Sequence, residues 1–180
     1  DPRLLPTIAS AVAKAAMDSG VATRPVDLET YERSLQGQVF RSFGVMRRVF
    51  ETARAAKRRI VFAEGEDERV LRTAQAMRED LGISPILIGR PEVVESRLER
   101  EGLKLVRGKD FDLVNPENDP RYRDYWMSYH AIMRRQGVTP DLAKAILRSN
   151  TTAIAAVMVQ RGEADSMICG TFGEYRWHLN

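Results

Sequence analysis

The chain has 180 residues, 43% of them hydrophobic and 29% charged, the composition of an ordinary globular protein with room for one domain, or one domain and an appendage. No apolar run approaches the roughly 20 residues that a membrane helix needs. A single cysteine excludes an internal disulfide framework and fits a reducing cytoplasm. The net charge of +3 comes from Arg and Lys interleaved with Asp and Glu, as on solvated helix faces and unlike a nucleic-acid surface.

In chain order, Asp1-Pro2-Arg3 is neither an initiator methionine nor a signal peptide, so a fragment or a processed chain is expected. Leu4–Asp18 is predicted helical, with Ile8, Val12, Ala15 and Ala16 on one face and Gly20 ending it. Asp27 is placed to cap a second helix over Asp27–Phe40. The apolar residues of that helix are sparse, as in a linker between domains. Phe43–Ala56 forms a third helix, closing on the basic cluster Arg54–Arg59, which suits a solvated helix C-terminus, where cations are favoured, the alternative being an anion or nucleic-acid patch.

Arg59–Gly89 then reads as a βαβ unit. Ile60–Ala63 and Pro85–Ile88 are short, apolar and without polar alternation, which suits parallel strands covered on both faces. Between them Val70, Leu71, Ala74, Met77 and Leu81 recur at helical spacing, and Gly82 closes the helix. Pro91 opens another helix running to about Glu101, with Val94 and Leu98 inward. Leu103–Val106 and Phe111–Val114 are strand candidates, and Asn115–Asp119 is a loop.

A long helix follows, whose Tyr122, Tyr125, Trp126, Tyr129, Ile132 and Met133 form an aromatic stripe. That stripe suits packing better than base stacking, which uses exposed sheets. Gly137 ends it, and Thr139-Pro140 starts the next helix, with Leu142, Ala143, Ile146 and Leu147 as its buried face. Asn150 caps the almost wholly apolar helix Thr151–Gln160, and Ser166–Cys169 is read as a further buried strand ending in Gly170.

The residues exclude much chemistry. His130 and His178 have no metalloprotease spacing, one cysteine cannot build a structural zinc site, and no Walker A or GxGxxG motif is present. The Glu64-Gly65-Glu66-Asp67 turn precedes a helix, but its carboxylates repel a phosphate and instead stabilise the helix end. Cys169 has no evident histidine partner and reads as a small buried hydrophobe. Arg134 and Arg135, beside Gly137, suit either a phosphate or pyrophosphate contact or a charge–dipole contact at a helix end.

The runs AEGEDERVLRTAQ, PILIGRP, DPRYRDYW, RRQGVTPDLAK and RGEADSMICG, in that order, resemble the phosphotransacetylase-like domain at the C-terminus of the large bacterial NADP-dependent malic enzymes. Residues 1–24 look like the tail of the malic enzyme domain, 25–42 like the interdomain linker, and 43–180 like the first part of the phosphotransacetylase-like domain. The resemblance implies an α/β fold, three-layer α/β/α with a mostly parallel sheet (isocitrate/isopropylmalate dehydrogenase-like), preceded by linker helices. The parent reaction it implies is oxidative decarboxylation of malate to pyruvate, CO2 and NADPH.

NADP, Mg or Mn and the catalytic groups of that reaction would lie before Asp1, and most of the CoA pocket after Asn180. The segment itself would carry no catalytic residue, metal or cofactor. It would bind acetyl-CoA as an effector, contact its own malic enzyme domain and assemble a homo-oligomer in the cytoplasm, with no membrane or nucleic-acid partner. Arg134, Arg135, Gly170 and Thr171 are the implied ligand contacts. In phosphotransacetylases the last strand leads into a His-Ser-Thr turn, whereas Thr171-Phe172-Gly173-Glu174-Tyr175 removes donors and adds a repelling charge. That departure favours binding without turnover; the alternative is an active phosphate acetyltransferase.

Overall fold

The computed structural model describes residues 4–39 and 43–179. The chain divides into two compact units, Asp1–Thr52 and Ala53–Asn180. In the first, α1 (Leu4–Asp18) packs on α2 (Leu28–Val39). Asp27 caps α2, its carboxylate accepting from the Thr30 N–H at 2.9 Å. The expected apolar face of α1 exists but lies open. Ile8 and Val12 are more than half exposed, and they line a cavity of about 560 Å3 with Leu4, Leu5 and Tyr31. Phe40 lies outside the described residues. α3 (Phe43–Ala56) follows.

The second unit is an α/β layer structure. Its sheet is built from β1 (Ile60–Phe62), β2 (Ile86–Ile88), β3 (Asp112–Val114) and β4 (Ser166–Ile168), all parallel, in the order β3-β2-β1-β4. Period-two alternation sends Val61, Ile86 and Ile88 to one face and Phe62 and Leu87 to the other. On the first face lie α6 (Tyr122–Met133), α7 (Pro140–Ser149) and α8 (Thr151–Gln160), contributing Tyr125, Leu147, Ile154 and Met158. On the second lie α4 (Glu68–Ala76) and α5 (Pro91–Glu101), contributing Val70, Leu71, Ala74, Val94 and Leu98. Each such fully buried aliphatic contributes about 1.5–3 kcal/mol of transfer free energy.

The caps explain where these helices start. Thr139 accepts from the Leu142 N–H, Asn150 from the Ala153 N–H at 3.1 Å, and Asp67 from the Arg69 N–H at 2.8 Å. Four expectations need correcting. Leu103–Val106 forms no strand, because the Arg107–Asp110 turn leaves only an isolated bridge between Arg107 and Phe111. The helix after β1 widens into a π turn over Met77–Leu81, which leaves Leu81 only half-buried off its stripe. Leu142 is 47% exposed, since Ala143 and Leu147 already fill the face that α7 turns to the core. β4 is not buried on both faces: it is the edge of the described sheet, with Ser166 and Ile168 exposed.

The aromatic stripe of α6 does pack inward, with Tyr125 at 1% exposure and Tyr122, Trp126 and Tyr129 against the same core, while Ile132 remains exposed. Two residues of the basic cluster have acidic partners: Arg58 binds Asp165, and Arg59 binds Asp112 through its side chain and Asp165 through its backbone; Arg54 donates to the Asp80 carbonyl. Among the described residues no single helix is long and apolar enough to cross a membrane.

Candidate functional site: a cleft at the sheet switch point

The chain runs β1 to β2 to β3 in one direction across the sheet, then returns to place β4 on the other side of β1. In open α/β sheets, ligands bind outside the carboxyl ends of the strands at such a reversal. Two adjoining cavities lie at that reversal. One, of about 380 Å3, is lined by Glu64, Ser149, Asn150, Thr151, Thr152, Phe172, Trp177 and His178. The other, of about 310 Å3, shares Glu64, Thr151 and Phe172 with it and adds Glu66, Asp67 and Arg97.

Glu64 is the centre of the arrangement. The backbone leaves β1 through hydrogen bonds from Ala63 to the Ile168 carbonyl and from Gly65 to the Ile88 carbonyl, both 3.0 Å. Gly65 is required for this close approach: a Cβ there would stand 2.7 Å from the Leu87 Cβ and 2.8 Å from the Ile88 nitrogen. The Glu64 side chain is consequently 3% exposed. Its Oε1 accepts the Gly170 N–H at 3.0 Å. Its Oε2 is buried and has no hydrogen-bond partner among the described residues.

The strap after β4 closes the same corner. Gly170 (φ 96°) and Gly173 (φ 84°) turn it through left-handed backbone, and α9 (Tyr175–Leu179) follows. His178 joins it to α8: its Nδ1 lies 3.0 Å from the Thr152 hydroxyl and 3.9 Å from Glu64 Oε1. Its Nε2 is 2.9 Å from the Phe172 carbonyl. A carbonyl only accepts, so Nε2 carries the proton, and in the neutral ring Nδ1 accepts from Thr152.

The remaining carboxylates of the cleft are ion-paired. Arg90 donates to Glu66 from its backbone and guanidinium, and that side-chain hydrogen bond holds the Glu66 carboxyl below the usual range. Asp67 is lowered to about 2, chiefly by the Arg69 guanidinium. The Cys169 thiol is pushed up, first by burial and then by the charge of Glu64, so it is not poised as a nucleophile.

Of the expected ligand contacts, Gly170 and Thr171 stand at this corner, though neither lines either cavity. Gly170 does so through its N–H to Glu64, and Thr171 through its carbonyl to Arg69. The Thr171 hydroxyl is buried without a well-formed hydrogen bond, next to Asp67. Arg134 and Arg135 occupy an exposed 3-10 turn closed by Gly137 (φ 86°) and line neither cavity. Glu64, Thr152 and His178 were missed as site residues. A strand, then an acid, then a glycine at the carboxyl end of β1 is the signal that marks Glu64; nothing local marks His178. Among the described residues no group of three metal-ligating side chains converges.

The family described as phosphate acetyl/butaryl transferase matches residues 44–180, the whole of the sheet unit and the helix leading into it. The chain belongs to that family. Among solved transferases of this kind, the EutD phosphotransacetylase of Staphylococcus aureus superposes with a TM-score of 0.62 at 24% identity, over 72% of this chain and 39% of that one. At that identity the likeness speaks for the fold. Over its whole length this transferase-family chain is similar to malic enzymes. It is 55% identical to the NAD-dependent malic enzyme of Rhizobium meliloti, over 99% of this chain and 24% of the relative. It is 51% identical to the NADP-dependent malic enzyme of Escherichia coli, over 100% and 24%. The chain therefore spans about a quarter of the length of the relatives it matches.

Proposed function

We propose that this chain is part of a multidomain malic enzyme, serving there as an acetyl-CoA-binding regulatory and assembly module that does not turn acetyl-CoA over. The parent reaction is the oxidative decarboxylation of malate to pyruvate, CO2 and NADPH, with NADP and Mg or Mn held elsewhere in the polypeptide. Support comes from the extent of the malic enzyme match. It runs through α1 and α2, whereas the transferase family begins only at residue 44. Residues 1–24 then act as the tail of the malic enzyme domain, 25–42 as the linker and 43–180 as the transferase-like part. Acetyl-CoA bound in that part biases the malic enzyme site, an energetic coupling between separate sites. Contacts with the chain's own malic enzyme domain and with further copies, in the cytoplasm, give the coupling its route.

Loss of turnover is supported by the charge of the cleft. Transfer of an acetyl group to phosphate needs donors and cations around the phosphate. Here Glu64, Glu66 and Asp67 line the cleft with Arg97, whose guanidinium already donates to the Glu66 carbonyl. A second reading, phosphate acetyltransferase activity, is favoured by the family match over residues 44–180. Incubating the full-length protein with acetyl-CoA and phosphate separates the two. The regulatory reading expects no acetyl phosphate above the uncatalysed level, and sustained formation overturns it.

A further inference from the structure

A carboxylate oxygen without a partner is the most costly polar atom a buried site can carry, because desolvating a charged acceptor costs more than a neutral one. Glu64 carries one such oxygen, Oε2, on a side chain that is 97% shielded and lines both halves of the cleft. Its other oxygen is committed to Gly170. His178 does not supply the missing bond, since its Nε2–H goes to the Phe172 carbonyl and its Nδ1 faces the Thr152 hydroxyl. The start of α8 does not supply it either: the Ala153 and Ile154 N–H groups go to the Asn150 side chain and carbonyl, and no N–H of that helix start is a partner of Oε2. The larger of the two cavities, moreover, has no lysine or arginine in its lining among the described residues.

We propose that Glu64 accepts a hydrogen bond from an uncharged N–H group of the ligand in this cleft, so that the cleft takes the neutral, amide- or amine-bearing part of a CoA ester and excludes its phosphates. This inference rests on the acetyl-CoA reading. A phosphate brought against Glu64 would add a repelling charge to an acceptor that already lacks a donor. An N–H brought there satisfies the acceptor, and Phe172 and Trp177, 60% and 73% exposed, offer apolar cover beside it. Two parts of a CoA ester carry such groups: the pantetheine arm, through its amides, and the adenine, through its amino group.

The test is calorimetric titration of the full-length protein and its Glu64→Gln variant with acetyl-CoA, S-acetylpantetheine, adenosine and inorganic phosphate. Glutamine keeps an acceptor for Gly170 but turns an NH2 donor toward the ligand. At least one neutral fragment is expected to bind the wild type and to lose about tenfold or more in affinity in the variant, the scale of a hydrogen bond to a charged group. The affected fragment identifies which N–H is read, and phosphate is expected to give no Glu64-dependent binding. Fragment affinities unchanged in a variant of unchanged thermal midpoint overturn the proposal, and if acetyl-CoA still binds, the regulatory reading survives that failure. If acetyl-CoA itself does not bind the wild type, the regulatory reading fails and the fragments still decide the role of Glu64. Should Glu64→Gln not fold, a crystal structure of the wild type with the binding fragment decides: an N–H nitrogen within about 3.2 Å of Oε2 supports the proposal. A water on Oε2 with the fragment elsewhere overturns it.

Discussion

Asp67 shows how one residue both starts an element and edges the cleft. Its carboxylate caps α4 and pairs with Arg69, which lowers it to about 2. A carboxyl depressed in the folded state stabilises it above the unfolded value near 3.8, and that contribution disappears as pH falls through the folded value. Asp67→Asn keeps a capping oxygen and removes the charge. It is expected to cost about 0.5–1 kcal/mol at neutral pH. Urea unfolding of both proteins across pH should show the gap narrowing below about pH 4 and closing near pH 2. A gap constant with pH assigns the effect to the cap alone. Legibility at this scale was uneven: Glu64, Glu66 and Asp67 read alike as charges at a helix end, which fits Asp67 as the cap of α4, whereas Glu64 is buried in the cleft. Its burial is decided by the approach of Gly65 to β2, a contact with residues more than twenty positions away.

At the scale of elements, caps and periodicity carry most of the reading, and sheet position carries the exceptions. Thr139, Asn150 and Pro91 mark helix starts because each satisfies or lacks a backbone donor, which is local chemistry. Whether β4 is central or an edge depends on what pairs beside it, and no run of apolar residues encodes that. The face of α7 is a similar case. Leu142 and Leu147 look equivalent in sequence, yet one is 47% exposed and the other 0%. Leu147→Ala is expected to destabilise by about 2–5 kcal/mol, and Leu142→Ala by about 0.5 kcal/mol or less. Chemical denaturation of the two variants checks the assignment, and equal losses would contradict it.

For the whole molecule, the sheet order is what turns a scaffold into a site. The βαβ unit at Arg59–Gly89 supplies β1 and β2, but the cleft appears only where β4 returns to the far side of β1. Ordered motifs made the fold and family legible without the coordinates. The cleft was less legible: Gly170 and Thr171 reach it only through hydrogen bonds to Glu64 and Arg69, and Glu64, Thr152 and His178 come together through the return of β4 and the strap. The proposed function makes this cleft an acetyl-CoA sensor within a longer polypeptide. Its most direct test is the rate of malate oxidation by the full-length protein as acetyl-CoA is titrated. The account predicts a saturable fall in rate with acetyl-CoA left intact; a rate indifferent to acetyl-CoA at every concentration would contradict it.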